Sequence, residues 1–492
     1  MESVNYFRPG AKVYFVGIKG TGVCALAELM HRYGLTVSGS DIDEKFYTDA
    51  ILDELGIPYH EHFSAGHIRD DFELVIHSAA YTANDNPELA EASRRSIPLL
   101  KYPDALGAWS GAFISAGITG VHGKTTTTAM AGVLAQALEL PAQVLVGSAV
   151  SSFNGLSTIS LGSKYFIAET CEYRSHFLAF HPRCILLTAV ECDHQDCFPD
   201  YESIRGAFLD YCRLLPPGGT LVYCADDPGA TQVADIIKSE KRDIGFIPYG
   251  FTADGPFCIT GYRVENEKAL FSARAFPGEF TLRIPGKHQA LNAVGALALC
   301  SLLIEEENAL WDEGKILAAK KALEEFRGSK RRSEIIGEAG GVLFMDDYGH
   351  HPTAIASTLE GIKAFYPERR LVVSFMSHTY TRTAALFDEF ARCFNSADVL
   401  FLHEIYSSAR EHYEGGINGK SVYDEVEKLI AEKSTGTKEL YYFDKPLDAF
   451  DTARELLQSG DLFVTMGAGN NRPLGIALYG HFTREAGRGI NP

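Results

Sequence analysis

The chain has few of the features that would mark a secreted, membrane-bound or disulfide-held protein. Its ten cysteines form no CxxC pair and no zinc spacing, so we expect them to be reduced packing residues. No apolar run has the length needed to span a bilayer, and residues 1–12 lack the basic and apolar blocks of a secretion signal. These absences predict a cytoplasmic protein.

The chain also has fewer basic than acidic residues. Lysine and arginine number 45 against 64 aspartates and glutamates, so the net charge is −19. This balance disfavours attraction to nucleic acid or to an anionic membrane surface, and we expect neither partner. An anionic small molecule can still bind if backbone N–H groups, lysines and metal ions reverse the field inside the site.

The sequence has no short repeat and no low-complexity tract, and instead alternates predicted strands with predicted helices. At 492 residues it is too long for one core, so several domains are expected. Strands are predicted at residues 12–17, 35–40, 74–78, 97–101, 112–119, 165–169, 184–189, 220–224, 342–345, 371–375, 399–402 and 462–465. This alternation predicts an α/β fold with largely parallel sheets. We place the domains at residues 1–112, 113–328 and 329–492.

The most informative motif is GVHGKTTTT at residues 120–128, between a predicted strand and a predicted helix. Glycines let main-chain N–H groups approach phosphate oxygens, Lys124 can reach the terminal phosphates, and the Thr125 hydroxyl suits a magnesium ion. A Walker A loop would have glycine where this chain has Ile118, so the loop is a shorter variant. A helix N-terminus capped by threonine is the plain alternative. The strand-loop-helix context favours ATP or GTP.

A second glycine-rich run, GIKGTG at residues 17–22, joins the first predicted strand to the first predicted helix. A nucleotide diphosphate would rest there on helix N–H groups. A dinucleotide fingerprint would have glycine in place of Lys19, although Asp41 ends the second strand where an acidic residue would meet a ribose. The run indicates some nucleotide and only weakly NAD. A tight turn with Asp41 on the surface is the alternative.

Two candidate metal ligands follow strands of the middle region. Glu169 ends one strand, and His194 follows the strand at 184–189. Ligands gather at the carboxyl ends of parallel strands, so both side chains could reach one bound nucleotide and its Mg²⁺. His288 and Asn292 open an apolar helix and offer polar groups to a base edge. Satisfied loop residues and helix caps are the plain alternatives.

The last third of the chain has two polar clusters after predicted strands. The run DDYGHHPT occupies residues 346–353, and SHTYTR occupies residues 377–382. Tyrosine, paired histidines and arginine pack poorly in a core but can orient a carboxylate and an amine. We therefore predict that this region handles an acid and an amine.

Taken together, these motifs resemble the Mur ligases of bacterial cell-wall synthesis. The resemblance extends over about residues 13–469, nearly the whole chain. Its most specific parts are the runs at 120–128, 286–292, 328–332, 346–353, 381–383 and 467–470, together with His378. The pairing of DDYGHHPT with His378 is similar to the branch of the family that adds alanine.

The resemblance implies an α/β protein of three domains. These would be a Rossmann-like N-terminal domain for the UDP-sugar, a central P-loop ATPase-type domain, and a C-terminal Rossmann-like α/β domain for the amino acid. It implies the ligation of L-alanine to the carboxylate of UDP-N-acetylmuramate through an acyl phosphate, with ATP and Mg²⁺ as cofactors. It also implies a monomer or a weak homodimer.

Matching motif positions imply the following residue roles. ATP would contact Gly120, Val121, His122, Gly123, Lys124, Thr125, Thr126, His288, Asn292 and Asp346. Metal ions would be held by Thr125, Glu169 and His194. The sugar nucleotide and the amino acid would contact Gly17, Lys19, Gly20, Gly22, Ser40, Asp41, Ser78, Arg331, Tyr348, His351, His378 and Arg382. The catalytic residues would be Lys124, His194, His378 and Arg382.

Two stretches depart from the family pattern. Lys19 replaces the middle glycine of the usual GxGGxG loop, and the usual EADExD is ETCEYR here, with Cys171 and Arg174 in place of acids. Because these residues bear on the acceptor, a ligase that joins a ready-made tripeptide to the same sugar nucleotide is a second hypothesis. A nucleotide-binding protein that has lost turnover is a third, and an NAD-dependent oxidoreductase a fourth.

Overall fold

The computed structural model describes residues 6–193, 197–240, 243–407 and 415–488. The chain packs into two compact units. The first unit comprises Met1–Val190, Arg205–Cys258 and Asn292–Ala322, and the second comprises Glu191–Ile204, Ile259–Leu291 and Leu323–Pro492. Each unit contains a largely parallel sheet flanked by helices.

The first unit opens with a five-stranded parallel sheet. Its strands are β1 Lys12–Val16, β2 Thr36–Ser40, β3 Tyr59–His60, β4 Leu74–His77 and β5 Leu99–Lys101. The helices between them are α1 Thr21–Arg32, α2 Tyr47–Glu54, α3 Pro87–Arg94 and α4 Tyr102–Ser110. The strand order is β3-β2-β1-β4-β5, so the order reverses beside β1. The carboxyl ends of β1 and β4 therefore form the crevice in which such sheets bind ligands.

A second, seven-stranded sheet follows in the same unit. Its strands are β6 Ile114–Thr119, β7 Ala142–Leu145, β8 Thr158–Ser160, β9 Tyr165–Glu169, β10 Cys184–Leu187, β11 Gly219–Cys224 and β12 Ile244–Tyr249. The helices are α5 Lys124–Ala137, α6 Tyr201–Cys212 and α7 Pro228–Ser239. The order is β12-β11-β10-β6-β9-β7-β8, with only the pair β7 and β8 antiparallel. The loop after β6 is therefore flanked by the carboxyl ends of β9 and β10.

The second unit contains two sheets. A small antiparallel sheet is formed by β13 Ile259–Glu265, β14 Lys268–Ala273 and β15 Phe280–Leu282. Helices α8 Lys287–Glu306 and α9 Glu313–Glu325 come next in the chain and belong mostly to the first unit. The larger sheet is formed by β16 Glu334–Ala339, β17 Val342–Asp347, β18 Arg370–Phe375, β19 Val399–His403, β20 Glu439–Phe443 and β21 Asp461–Met466. Its helices are α10 Pro352–Phe365, α11 Tyr380–Ala385, α12 Phe387–Arg392, α13 Gly419–Ala431, α14 Phe450–Leu456 and α15 Arg472–Arg488.

The larger sheet of the second unit has the order β16-β17-β21-β18-β19-β20, and β16 alone pairs antiparallel. The predicted α/β class with largely parallel sheets is thus confirmed. Sequence analysis did not predict β7, the parallel edge strands β3, β12 and β20, or the antiparallel strands β8 and β13 to β16. Their apolar residues alternate with exposed ones, as in β13, whose burial alternates along an exposed ribbon. Such strands have a weaker apolar signal than fully buried ones.

Helix α8 corrects one expectation from the sequence. Among the described residues it is the one helix that is long and apolar enough to cross a membrane by length and composition. However, 78% of its most apolar window is buried inside the protein. Burial of this kind is found in the core helix of a domain, because an apolar helix can be covered by neighbouring elements instead of lipid.

Candidate active site

The loop after β6, residues 120–124, is shaped by two glycines that no other residue could replace without strain. Gly120 has φ of +131° and Gly123 has φ of +80°. A β-carbon on Gly120 would collide with the Thr188 hydroxyl, and one on Gly123 would lie 2.7 Å from Oδ1 of Asn292. The Val121 amide donates to the Ala189 carbonyl at 2.9 Å. We call residues 120–124 the phosphate loop, because the conformation suits close approach of the backbone to an anion.

Lys124, the first residue of α5, is almost buried beside the acidic segment after β9. Its ammonium donates to Oε2 and Oε1 of Glu172 at 2.8 and 2.9 Å and also to the Gly120 carbonyl. Burial lowers the pKa of Lys124, but the Glu172 carboxylate more than offsets this, so the pKa is raised and the group stays charged. A cation is therefore fixed inside the phosphate loop.

Thr125 and Glu169 bring two oxygen ligands together beside this loop. The Thr125 hydroxyl donates to Oε1 of Glu169 at 3.0 Å, and the Gly147 amide donates to Oε2 at 2.7 Å. A hydroxyl and a carboxylate are the ligands that Mg²⁺ prefers, so this pair fits the cation. The predicted third ligand, His194, lies outside the described residues.

The predicted adenine residues lie on α8, four positions apart. Asn292 is buried in the first unit, where its Oδ1 accepts from the Thr127 hydroxyl at 3.2 Å. In the second unit, Nδ1 of His288 lies 3.0 Å from the Ser357 hydroxyl, and its Nε2 lies 3.0 Å from the Gln289 amide. Both side chains thus have protein partners, and their contact with adenine stays a prediction.

The loop after β1, residues 17–22, is the first loop. Gly17 has φ of +81°, and a β-carbon there would lie 2.9 Å from Cβ of Ser78 and from the Tyr81 ring. The Gly17 amide donates to the Ser40 carbonyl at 2.8 Å. Ser78, at the end of β4, therefore sits directly across the crevice from the first loop, as the strand order requires.

The Lys19 side chain anchors the first loop to neighbouring acidic residues. Its side chain is fully buried, and its ammonium lies 3.0 Å from Oδ1 of Asp49 and 3.3 Å from Oε1 of Glu61. The backbone of Lys19 is held as well, since its amide donates to Asp41 at 2.7 Å and its carbonyl accepts from Thr48 at 2.6 Å. The Lys19 ammonium and the Asp41 carboxylate are thus engaged in holding the loop, and their contact with the sugar nucleotide stays a prediction. Burial raises the pKa of Asp41.

Ser40 belongs to a buried polar cluster at the end of β2. Its hydroxyl donates to Oε2 of Glu88, and Tyr14 donates to Oε1 at 3.1 Å. Nδ1 of His67 lies 2.7 Å from the same carboxylate. The Ser40 side chain therefore fixes the strand ends of the first sheet.

In the second unit, Asp346 lies at the end of β17 and is completely buried. It accepts from the Thr465 hydroxyl at 2.6 Å and from Nε of Arg331 at 3.0 Å. Arg331 also donates to the Gly467 carbonyl at 2.7 Å, and its guanidinium lies 5.0 Å from the Tyr348 ring centroid. Burial raises the pKa of Asp346 in spite of these partners. The predicted residues Arg331, Asp346 and Tyr348 are therefore brought together.

A second cluster of this unit is centred on Asp193. Nε of Arg382 donates to Oδ1 of Asp193 at 2.8 Å, and His350 lies 3.8 Å from Oδ2. Burial lowers the pKa of His350 to about 4, so its imidazole is neutral. Nε2 of His351 lies 3.3 Å from the Cys192 carbonyl. The fixed guanidinium of Arg382 and the neutral imidazole of His350 can orient an amino acid.

His378 follows β18 and stacks on Tyr406, with ring centroids 5.9 Å apart. The next residue, Thr379, has φ of +71°, and its amide donates to the Tyr406 carbonyl at 3.1 Å. A left-handed conformation at threonine is rare and costs free energy, and such strain is found at sites that hold ligands. The segment therefore holds His378 in a fixed orientation.

Three family models match the chain in order. They are the Mur ligase family catalytic domain at residues 12–114, the Mur ligase middle domain at 118–300, and the Mur ligase glutamate ligase domain at 331–469. The chain is also 50% identical over 476 residues to the UDP-N-acetylmuramate–L-alanine ligase of Treponema pallidum strain Nichols, covering 97% of this chain and 98% of that one. The chain belongs to the Mur ligase family.

Solved structures of Mur ligases have the same architecture. The UDP-N-acetylmuramate–alanine ligase of Thermotoga maritima matches with a TM-score of 0.71 and 25% identity, over 96% of this chain and 99% of that one. A murein peptide ligase from Psychrobacter arcticus matches with a TM-score of 0.61 and 21% identity over 96% and 99% of the two chains. The second likeness shows the fold alone.

Sequence analysis missed several partners of the predicted site residues. Glu172 binds Lys124, Asp193 binds Arg382, and Tyr406 stacks on His378. Of these three, Glu172 could most readily have been predicted, because it is one of the acids that remain in the altered stretch at 169–174. Asp193 and Tyr406 follow strands but belong to no motif, so the sequence offered no local signal for them.

Proposed function

We propose that this Mur ligase joins L-alanine to the carboxylate of UDP-N-acetylmuramate and that the reaction is coupled to the cleavage of ATP to ADP and phosphate. The strongest support is the 50% identity, over nearly the whole chain, to a relative named for that reaction. The glycine-shaped first loop and the phosphate loop support it, because two separate anionic nucleotides need two such sites. We place the reaction in the cytoplasm and expect a monomer or a weak homodimer.

A carboxylate does not react directly with an amine, because oxide would have to leave. In the first step, an oxygen of the muramyl carboxylate attacks the γ-phosphorus of ATP, the bond to the β-phosphate oxygen breaks, and ADP leaves. Lys124 would stabilise the negative charge that spreads over the transferring group. Thr125 and Glu169 would hold Mg²⁺, which when bound offsets phosphate charge. His194 would complete the metal ligands.

In the second step, the neutral amine of alanine attacks the acyl carbon, the bond to the phosphate oxygen breaks, and phosphate leaves with the proton that the nitrogen loses. In the second unit, Arg382 would bind the alanine carboxylate, with Asp193 fixing the direction of its guanidinium. His378 and Tyr348 would orient the amino acid, and His351 would contact the substrates nearby. Asp346 and Arg331 would contact the nucleotide. No side chain becomes covalently attached, so positioning supplies much of the rate.

A phosphate-release assay tests this function. Purified protein with ATP, Mg²⁺ and UDP-N-acetylmuramate should release phosphate upon addition of L-alanine. Glycine, L-serine and the tripeptide serve as competing acceptors. Release with tripeptide but not with L-alanine would support the second hypothesis, a ligase that joins a ready-made tripeptide to the sugar nucleotide. The departures at Cys171 and Arg174 are the reason to test that acceptor. ATP binding without acceptor-dependent release would support a protein that has lost turnover.

An isotope experiment tests the acyl phosphate itself. The carboxylate of UDP-N-acetylmuramate is labelled with ¹⁸O, and the released phosphate is analysed by mass spectrometry. Transfer of one labelled oxygen to each phosphate is expected, because the carboxylate oxygen stays bound to phosphorus when the acyl bond breaks. Unlabelled phosphate formed together with the ligated product would exclude this mechanism.

A further inference from the structure

Tyr102 is a residue of the first unit that no motif includes. It is the first residue of α4 and directly follows β5, at the carboxyl edge of the first sheet. This edge also carries the first loop. The Tyr102 ring packs against that loop, since a β-carbon on Gly22 would lie 2.8 Å from its Cζ and from its hydroxyl oxygen. The phenol therefore lies directly beside the proposed diphosphate site.

The same tyrosine is also close to the acidic stretch after β9. Its pKa is raised, first by burial and then by the negative charge of Glu169. Helix α4 packs on the 3₁₀ segment Tyr173–Ala179, where a β-carbon on Gly107 would collide with the Ala179 carbonyl. Tyr102 thus stands between the first loop and the residues that flank the phosphate loop.

The Tyr102 hydroxyl is available as a hydrogen-bond donor. Like any tyrosine hydroxyl it is protonated at neutral pH, and among the described residues it has no hydrogen-bond partner. Its side chain is half-buried, so a ligand can reach it. A phenol in these surroundings can donate to an acceptor without adding positive charge.

The proposed function requires the sugar acid to extend from the first loop, which holds its diphosphate, to the γ-phosphate at Lys124. We propose that Tyr102 is a substrate-positioning residue that donates a hydrogen bond to the acid-bearing sugar of UDP-N-acetylmuramate, beyond the diphosphate. This inference rests on the proposed function, because it names a contact of the same substrate. Glu169 and Glu172 make this neighbourhood acidic. The Tyr102 hydroxyl would be a neutral donor there that can hold the acid-bearing sugar.

The test compares two nucleotides by calorimetry, using the full-length protein. Tyr102→Phe removes only the hydroxyl oxygen, so the ring packing on Gly22 is kept. We expect affinity for UDP-N-acetylmuramate to fall about tenfold, as for the loss of one hydrogen bond to a charged or polar ligand. Affinity for UDP should stay within about twofold, because UDP lacks the N-acetylmuramyl group. In turnover assays, KM for the sugar nucleotide should rise while KM for ATP does not.

Tyr33→Phe is the matched control. Its ring packs on Trp109 of α4, with centroids 5.3 Å apart. Tyr33 directly follows the last residue of α1, whereas the first loop leads into the start of that helix, so about 18 Å of helix separates the two. This variant should bind both nucleotides like the wild type. An unchanged affinity of Tyr102→Phe for UDP-N-acetylmuramate would overturn the inference. An equal loss for UDP would also overturn it, since Tyr102 would then act only through the loop.

The two proposals fail in different ways. If the wild type releases phosphate with L-alanine but Tyr102→Phe behaves normally, the function stands and only the role of Tyr102 is rejected. If the wild type binds UDP-N-acetylmuramate and Tyr102→Phe weakens that binding, but no acceptor yields phosphate, the contact stands and the reaction is rejected. A wild type that binds neither nucleotide rejects both.

Discussion

The first loop and the phosphate loop are built alike but use their lysines differently. Both follow a buried parallel strand, contain a glycine with positive φ and lead into a helix. In the phosphate loop, Lys124 points into the loop, with Glu172 and the Gly120 carbonyl as partners. In the first loop, Lys19 points away into a buried pocket with Asp49.

The difference indicates two ways to bind a phosphate group. The phosphate loop contributes a cation that can exchange a protein carboxylate for phosphate oxygens, which suits a group that is transferred and released. In the first loop the lysine charge is neutralised by protein, so a diphosphate would meet backbone N–H groups and the helix N-terminus. This suits a group that only anchors the substrate. The same residue type therefore has a chemical role in one loop and a structural role in the other.

Removing the Lys124 ammonium should have the largest effect. We expect Lys124→Ala to lower turnover by about 10³-fold, because one donor to a developing anion contributes roughly 10²–10³-fold in rate. Binding of UDP, measured by calorimetry, should not change, since UDP is assigned to the other loop. Turnover within tenfold of the wild type would contradict the role given to Lys124.

Adding a methyl group at Gly120 should be the next most harmful change. Alanine would require φ of +131° and would collide with Thr188 and the Ala189 backbone. In the corresponding Gly17→Ala, the new β-carbon would lie 2.9 Å from Cβ of Ser78 and 2.9 Å from the Tyr81 ring, which are wider contacts than those at Gly120. We expect Gly120→Ala to raise KM for ATP by about 10- to 30-fold, since positive φ alone costs about 1–2 kcal/mol.

Gly17→Ala should instead raise KM for UDP-N-acetylmuramate, and by less, because its contacts are wider than those at Gly120 and none is with a backbone atom. The comparison is made in the same phosphate-release assay with the other substrates saturating. If both variants weakened the same substrate, the assignment of one nucleotide to each loop would be wrong.

The positions of both loops were predictable from sequence, whereas the directions of their lysines were not. A buried apolar run, a glycine and an amphipathic helix are local signals, and the structure places strands and helices at both predicted sites. The direction of Lys19 depends on Asp49 and Glu61, which lie on other elements. Likewise, Arg382 was a visible motif residue, but its partner Asp193 is distant in sequence. Partners that meet only after folding have no signal in a single sequence.

Replacing Lys19 with methionine should affect stability more than chemistry. Removing one partner of a buried ion pair takes the nearest cation from Asp49, which keeps only the exposed Lys45 at 3.9 Å, and destabilises by about 3 kcal/mol, the lower end of the usual range. Burial raises the pKa of Asp49, but hydrogen bonds from Phe46, Lys19 and Tyr59 outweigh it, so the folded-state pKa is lowered. The stability that Asp49 contributes is therefore present above its unfolded pKa of about 4 and is lost as pH falls through the lower folded value.

Urea unfolding of wild type and Lys19→Met at several pH values checks this. Both tryptophans, Trp109 and Trp311, belong to the first unit, so their fluorescence reports on the unit that contains Lys19. The difference between the two proteins should be greatest at neutral pH and should shrink below about pH 4. KM for ATP should be unchanged at neutral pH. A difference that does not depend on pH would mean that Lys19 acts through packing and not through its charge.

The smallest effect is expected at Gly20, a glycine of the first loop whose backbone conformation does not require glycine. Gly20 has φ of −60° and ψ of 133°, which any residue can adopt. A β-carbon there would lie 3.4 Å from the Gly17 carbonyl oxygen, a tight but tolerable contact. Gly20→Ala should therefore keep the affinity for UDP within about threefold by calorimetry and leave thermal unfolding unchanged. A loss above tenfold at unchanged stability would mean that the diphosphate packs on the Cα of Gly20, and the first loop would then approach its ligand as closely as the phosphate loop does.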